Sequence, residues 1–165
     1  MSPPFWINAA LRSVIWLGGA ACLAHVKKPD GASVVVVRTD WIGWLGASVC
    51  IAALVLHVRS NVSLARGERK GTAGISALVT DGPFRYVRNP IYLSGLTLLS
   101  GVALLYPTWH PKELVLPLLL LVYFHLSVVW IEEPALRRFF SSTYDDYCKR
   151  VPRWLPSGSR GEIKP

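Results

Sequence analysis

The sequence has little charge for its length, and its charged residues are concentrated in short stretches. Asp, Glu, Lys and Arg make up 17% of the 165 residues, whereas an average soluble domain carries about 25%. Long stretches therefore contain almost no charge, and hydrophobic residues make up 52% of the chain. This composition disfavours an ordinary soluble domain, and the length is sufficient for one domain rather than two.

The sequence also lacks the patterns that bind metals or nucleic acids. Its three cysteines, Cys22, Cys50 and Cys148, form no CxxC or Cys/His cluster, so we expect free thiols and no metal site. The net charge of +8 could serve nucleic acid, but no nucleic-acid motif is present. Because the basic residues lie at the ends of apolar stretches, anionic lipid headgroups explain them better.

Four apolar stretches predict membrane-spanning helices. A spanning helix needs roughly 20 mainly apolar residues, and backbone groups in lipid must be satisfied within the helix. We expect spans at about residues 5–26, 41–58, 91–106 and 113–131. No clear cleavage site follows the first stretch, which predicts a retained helix rather than a signal peptide. The predicted fold is all-α, a polytopic membrane protein with about four transmembrane helices and a C-terminal amphipathic interfacial helix.

The distribution of basic residues predicts how these helices are oriented. Thirteen of the 18 Lys and Arg residues lie in the segment from Arg59 to Arg88 or after Ile131. Basic residues are enriched in short cytoplasmic segments. We therefore place both segments, and any chemistry that depends on them, on the cytoplasmic side.

The first group of polar residues begins at Asp81 and leads into the third apolar stretch. Asn89 followed by Pro90 is a helix-start signal, because Asn is a preferred N-cap and Pro is favoured at the first helical position. Free N–H groups at a helix start, beside Arg88, can hold a carboxylate. An ordinary helix start at a membrane surface, with Arg85 and Arg88 on lipid headgroups, explains the pattern equally well.

The second group is Glu132-Glu133-Pro134, directly after the last apolar stretch. Ionisable groups at membrane depth tend to face a cavity or a partner, and adjacent carboxylates repel, so at least one needs a cation. We expect Arg88, Arg137 or a cationic ligand in that role. The alternative is a simple boundary at the helix end.

The segment from Pro134 to Trp154 predicts an amphipathic helix. We expect Pro134 to interrupt the membrane helix. Apolar residues then recur at helical spacing, which suits a helix that lies on the membrane surface or covers a site. These residues are Leu136, Phe139, Phe140, Tyr144, Tyr147 and Val151.

Together these segments resemble a known family. The order is LVTDGPFRYVRNPIYLSG, a hydrophobic hairpin, and EEPALRRFFSSTYDDYCKRVPRWLP. It is similar to the isoprenylcysteine carboxyl methyltransferases and the related phospholipid methyltransferases, which are membrane enzymes. The resemblance covers about Leu78 to Pro156.

The resemblance implies a cytoplasm-facing pocket for S-adenosylmethionine and a lateral path for a hydrophobic or lipidated substrate. It implies one domain over 1–165, with two membrane helices in 1–60, a cofactor loop in 61–90, a hairpin in 91–131 and an amphipathic helix and tail in 132–165. Catalytic roles would fall to Arg88, Glu132 and Glu133. The implied cofactor-binding residues are Leu78, Val79, Phe84, Arg88, Asn89, Pro90, Ile91, Tyr92, Glu132 and Glu133.

Several positions depart from the family pattern. Asn89 replaces a His, Phe84 a Tyr and Ser141 a Gly. The arginine that prenylcysteine enzymes carry one turn before the glutamates is absent, since that turn reads Ser127-Val128-Val129. This weakens the prediction of a prenylcysteine substrate more than that of the cofactor.

Two other classes compete with a methyltransferase. Membrane sterol and steroid reductases have a related C-terminal architecture and use NADPH, but they typically lack the Glu pair. A non-catalytic membrane scaffold would explain the replaced His and the missing arginine, and it predicts that neither cofactor binds.

Overall fold

The computed structural model describes residues 26–27, 33–34, 37–70, 77–106 and 115–156. Within these ranges the chain is mainly helical. The exception is an antiparallel ladder in which Val26 pairs with Val34 and Lys27 with Ser33. The elements are β1 Val26–Lys27, β2 Ser33–Val34, α1 Trp41–Lys70, a 3-10 turn Gly82–Arg85, α2 Pro90–Leu105, α3 Val115–Ser127, a π-helical turn Val128–Glu132 and α4 Glu133–Arg150.

Three of the predicted spans coincide with helices. α2 agrees with the predicted 91–106 to within one residue at each end. α1 begins at Trp41 as predicted but continues to Lys70, so residues 61–70 are helical rather than part of a loop. The first predicted span, residues 5–26, lies outside the described residues except for Val26, which belongs to β1.

Two helical stretches are long and apolar enough to cross a membrane, Trp41–Gly67 and Leu118–Arg150. At 1.5 Å per residue, the 27 residues of the first extend about 40 Å, more than the ~30 Å hydrocarbon thickness of a bilayer. Large apolar side chains such as Ile51, Leu119 and Trp130 are exposed along them. The shorter α2, with 16 residues, is also apolar, and the number of membrane crossings stays a prediction.

Asp40 defines the start of α1. Its carboxylate accepts a hydrogen bond from the Gly43 N–H at 3.0 Å, which is the geometry of an N-cap. The Arg38 guanidinium donates to the same carboxylate, with Nε 3.1 Å from Oδ1. These hydrogen bonds, that of Arg38 first, lower the pKa of Asp40 to about 2, so the cap stays ionised at neutral pH.

The chain divides into two compact units, Met1–Val55 with Ser94–Leu121 and Leu56–Leu93 with Val122–Pro165. In the first unit, α1 and α2 approach closely through glycines. A Cβ placed on Gly46 would lie 2.9 Å from the Gly101 carbonyl oxygen, and one on Gly101 would lie 2.7 Å from Cys50 Sγ. Small residues allow this close approach of two helix backbones.

Pro134 does not interrupt the last helix, contrary to the prediction. The backbone stays helical through Glu132 and Glu133, and the Glu133 N–H bonds to the Val128 carbonyl, five residues earlier. A π-helical turn widens the helix by one residue, which lets it continue past a residue that cannot donate a backbone hydrogen bond. The acidic pair therefore lies at the junction between this turn and α4.

The helix breaks instead at Ser141, with φ 46° and ψ −127°. Beyond the break, α4 buries Tyr144 and Tyr147, which pack with Val151 and with the partly buried Leu136 and Phe140. Phe139, included in the predicted apolar stripe, is 74% exposed. Whether α4 lies on a membrane surface stays a prediction.

Because serine disfavours a positive φ, we expect Ser141→Gly to stabilise the protein. Backbone strain of this kind costs about 1–3 kcal/mol, part of which the greater freedom of an unfolded glycine offsets, so a gain of about 1 kcal/mol is expected. Thermal unfolding in detergent would measure it. Ser142→Gly is the matched control and should destabilise the helix by about 0.5–1 kcal/mol. If Ser141→Gly were no more stable than the parent protein, the inference that the backbone is strained at Ser141 would be wrong.

Candidate functional site

The site residues that the sequence predicts all belong to the second unit, where the chain from Asp81 to Pro90 forms its first part. Gly82 has φ +56°, and a Cβ there would overlap the Ser63 hydroxyl, so glycine fits the turn. The Tyr147 hydroxyl of α4 donates to the Phe84 carbonyl at 2.7 Å. This buried hydrogen bond fixes the 3-10 turn against α4.

Backbone contacts join this loop to the segment that follows α4. The Arg88 N–H donates to the Pro152 carbonyl at 2.9 Å. The Asn89 side-chain amide donates to the Arg153 carbonyl at 3.1 Å. The C-terminal segment Val151–Pro156 is thereby held beside the start of α2.

The start of α2 follows the predicted pattern. The Asn89 carbonyl accepts the Leu93 N–H at 3.1 Å, which places Asn89 at the N-cap and Pro90 at the first helical position. Pro90 is fully buried. Asn89 thus connects the helix start to the C-terminal segment as well as beginning the helix.

Glu133 is a buried carboxylate held by two arginines. Its side chain is 4% exposed, and Arg88 Nη1 lies 3.2 Å from Oε1. Arg153 binds it with both branches of its guanidinium, Nε to Oε1 at 2.7 Å and Nη2 to Oε2 at 3.0 Å. This bidentate geometry is the strong form of an Arg–carboxylate pair.

Of the alternative partners expected for the acidic pair, the structure pairs Arg88 with Glu133. Arg137 instead pairs with Asp145 at 3.0 Å, because both lie on the exposed face of α4. Arg153 takes the second place on Glu133. Its hydrogen bond to Glu133 raises the pKa of Arg153, so it remains cationic at any physiological pH.

Arg88 has donor capacity beyond this ion pair. Its Nη1 also lies 2.7 Å from the Cys148 sulfur. Its Nε is buried and has no hydrogen-bond partner among the described residues. A buried guanidinium N–H without a partner is costly, and an anion placed beside it would remove that cost.

Glu132 lies in a different environment from its neighbour. It is half-buried and accepts a hydrogen bond from the Tyr92 hydroxyl. The Tyr92 ring packs on Phe124 at 4.6 Å between centroids and lies 6.4 Å from Trp154. Consecutive helical residues point about 100° apart, which explains why the two carboxylates meet different partners.

The structure brings three predicted site residues, Arg88, Asn89 and Glu133, into one hydrogen-bonded and ion-paired network with Arg153. Tyr92 and Glu132 form a second hydrogen-bonded pair, and Glu132 is the chain neighbour of Glu133. The other predicted residues pack around these residues. Leu78 packs against the cluster of Tyr144, Tyr147 and Val151, Val79 lies against Gly67, and Phe84, Pro90 and Ile91 are buried. Their roles towards a cofactor stay predictions.

Sequence reasoning missed the contacts of two residues that hold the site, Arg153 in the C-terminal segment and Tyr147 in α4. Arg153 and Tyr147 each contact a residue that the sequence had singled out, and the Trp154 indole donates to His125 at 3.1 Å. The sequence pattern that could have predicted these contacts is Arg153-Trp154 between Pro152 and Pro156. Prolines favour a turn after α4, and such a turn can direct these side chains back towards Glu133. No group of His, Cys, Asp and Glu suitable for a metal occurs in the described part of the chain.

Apolar helices with outward-facing hydrophobic side chains, and a charged network where they end, are typical of a helical membrane protein with a polar site at its helix ends. The family model for phospholipid methyltransferases matches residues 41–143, more than half of the chain, and the chain belongs to this family. This confirms the family resemblance and implies a membrane methyltransferase. The comparison with curated proteins finds no match. The family match ends before Arg153.

Proposed function

We propose that the protein transfers a methyl group from S-adenosylmethionine to a lipid-like or isoprenoid-like substrate, through a carboxylate or an amine, at the cytoplasmic face of the membrane. Membership in the phospholipid methyltransferase family supports the reaction class. The observation that carries the proposal is the pair of contacts between the start of α2 and the acidic pair, Arg88 to Glu133 and Tyr92 to Glu132. The basic residues around it support the cytoplasmic side.

The charges at these contacts fit the methionyl part of the cofactor, which carries one carboxylate and one ammonium. The unsatisfied Arg88 Nε and the N-terminus of α2 suit the carboxylate. A carboxylate of the acidic pair suits the ammonium. Opposite charges held on neighbouring elements would fix the orientation of a zwitterion.

We assign different roles to the two glutamates. Both oxygens of Glu133 are already bound by Arg153, and Arg88 pairs with the same group. Taking up an ammonium there would require breaking a buried ion pair. We therefore assign the ammonium to Glu132, with Tyr92 orienting its carboxylate, and we assign Glu133 to holding Arg88 and Arg153 in place.

S-adenosylmethionine, when bound, supplies a methyl group that is already activated by its sulfonium. The residues of this chain then need only hold donor and acceptor in line and exclude water. A carboxylate acceptor is ionised at neutral pH and needs no base. An amine acceptor has to lose a proton to a base before it attacks. No nucleophilic Ser or Cys is required.

Incubation of purified protein with methyl-labelled S-adenosylmethionine and a membrane lipid extract tests this proposal. We expect label in an organic-soluble product, identified by mass spectrometry, and its loss when S-adenosylhomocysteine is added. Candidate acceptors are a lipidated thiol acid, a phospholipid amine and a small hydrophobic metabolite. Thermal stabilisation by NADPH, without stabilisation by S-adenosylhomocysteine, would contradict the proposal and favour a reductase.

A further inference from the structure

A second charged feature lies outside the acidic-pair network, in a depression of about 420 Å³ on the surface of the second unit. Six residues line it: Leu56, Arg59, Gly82, Pro83, Arg85 and Tyr86. None of the six is acidic. Arg59 comes from α1 and Arg85 from the 3-10 turn, so two separate elements contribute a guanidinium to the same depression.

Arg59 and Arg85 have no carboxylate partner, in contrast to three other arginines of the unit. Arg88, Arg137 and Arg153 are each in an ion pair. The side chains of Arg59 and Arg85 are exposed, and neither forms an ion pair or a hydrogen bond with a residue in the described part of the chain. Asp81, the acidic neighbour in sequence, is exposed and does not line the depression. Among the residues that the structure describes, the depression therefore presents two positive charges without a counter-ion.

The other residues that line the depression indicate what kind of anionic molecule would bind the two arginines. Leu56 is half-buried and Pro83 is buried, which supplies an apolar wall, and Tyr86 is 60% exposed. Arg59 directly follows the apolar run 41–58, where a spanning helix meets headgroups, and exposed tyrosines are enriched at that level. Guanidinium groups bind phosphate oxygens in bidentate geometry.

We propose that Arg59 and Arg85 form a binding site for a phosphate group, of the kind carried by a phospholipid headgroup, with Leu56 and Pro83 beside its apolar portion. The site is separate from the residues assigned to the cofactor. It does not depend on methyl transfer, so its test is a binding measurement.

The test uses native mass spectrometry of the purified full-length protein in detergent, titrated separately with phosphatidylglycerol, diacylglycerol and inorganic phosphate. We expect adducts with phosphatidylglycerol but not with diacylglycerol, which has no phosphate. The double variant Arg59→Gln/Arg85→Gln should weaken phosphatidylglycerol binding by about tenfold or more, since two charge-assisted hydrogen-bonding groups are lost. Arg59→Lys/Arg85→Lys, which keeps the charge, should retain part of the affinity.

The matched control is Arg66→Gln/Arg138→Gln, which removes the same charge from two exposed arginines outside the depression. We expect it to change binding by less than about twofold. If both Gln double variants lost phosphatidylglycerol affinity equally, the effect would be one of overall charge and the proposal would be overturned. Binding of diacylglycerol as tight as that of phosphatidylglycerol would also overturn it. Phosphate adducts that depend on Arg59 and Arg85, without lipid adducts, would support the phosphate site and assign it to a free phosphate.

Discussion

Glu132→Gln is expected to weaken the binding of S-adenosylmethionine and S-adenosylhomocysteine by about tenfold to a hundredfold while the protein stays folded. The change keeps the size of the side chain and its ability to accept from Tyr92, but it removes the negative charge that would meet the ammonium. A hydrogen bond between charged groups contributes about 1.5–3 kcal/mol, which gives the expected range. Isothermal titration calorimetry in detergent would measure the affinity.

Two further variants serve as comparisons for the cofactor affinity of Glu132→Gln. Tyr92→Phe removes the hydrogen bond to Glu132 but keeps the carboxylate, so its effect should be smaller than that of Glu132→Gln. Asp146→Asn removes an exposed carboxylate that pairs with Lys149 and should leave cofactor affinity unchanged. If Glu132→Gln binds the cofactor as tightly as the parent does, the assignment of the ammonium to Glu132 is wrong.

The parts of the site that sequence could predict are those with local signals. Asn89-Pro90 marked the start of α2 to within one residue, because N-cap and first-turn preferences act over a few positions. The need of the acidic pair for a cation followed from a general requirement of buried carboxylates, and Arg88 was one of three partners that the sequence left open, with Arg137 and a cationic ligand. Neither inference needed the three-dimensional path of the chain.

Other features depend on tertiary structure or on small backbone energies. Arg153 reaches Glu133 from 20 positions away because the chain turns back after α4, and nothing local specifies that direction. Pro134 was expected to interrupt the helix, but a π-helical turn just before it lets the helix continue. The helix breaks at Ser141 instead, in a positive-φ conformation that glycine favours.

The adjacent glutamates show how one sequence motif can serve two physical roles. A helical rotation between neighbours turns Glu133 towards Arg88 and Arg153 and Glu132 towards Tyr92. One carboxylate is neutralised by protein cations, and the other, in a partly exposed position, is suited to a ligand. Because environment rather than residue type decides the role, substitutions at the two positions should have separable effects.

Glu133→Gln is accordingly expected to lower stability rather than to act on the cofactor alone. It leaves Arg88 and Arg153 beside a neutral amide in a buried site, and removing one partner of a buried ion pair typically costs about 3–5 kcal/mol. We expect about 3 kcal/mol, because Arg153 is partly exposed and can recover some hydration. Unfolding of the cofactor-free protein, followed by circular dichroism in detergent, would measure the loss.

The exposed pair Arg137–Asp145, with both side chains about half exposed, provides the control. Asp145→Asn should cost less than about 1 kcal/mol, because water screens the pair. Arg153→Met alone should cost about 2 kcal/mol, since Arg88 still neutralises Glu133. Combining it with Glu133→Gln should cost less than the sum of the two single changes, because each removes the same interaction. If Glu133→Gln were no more damaging than Asp145→Asn, Glu133 would not be the residue that holds the two arginines in place, and the division of roles between the glutamates would fail with it.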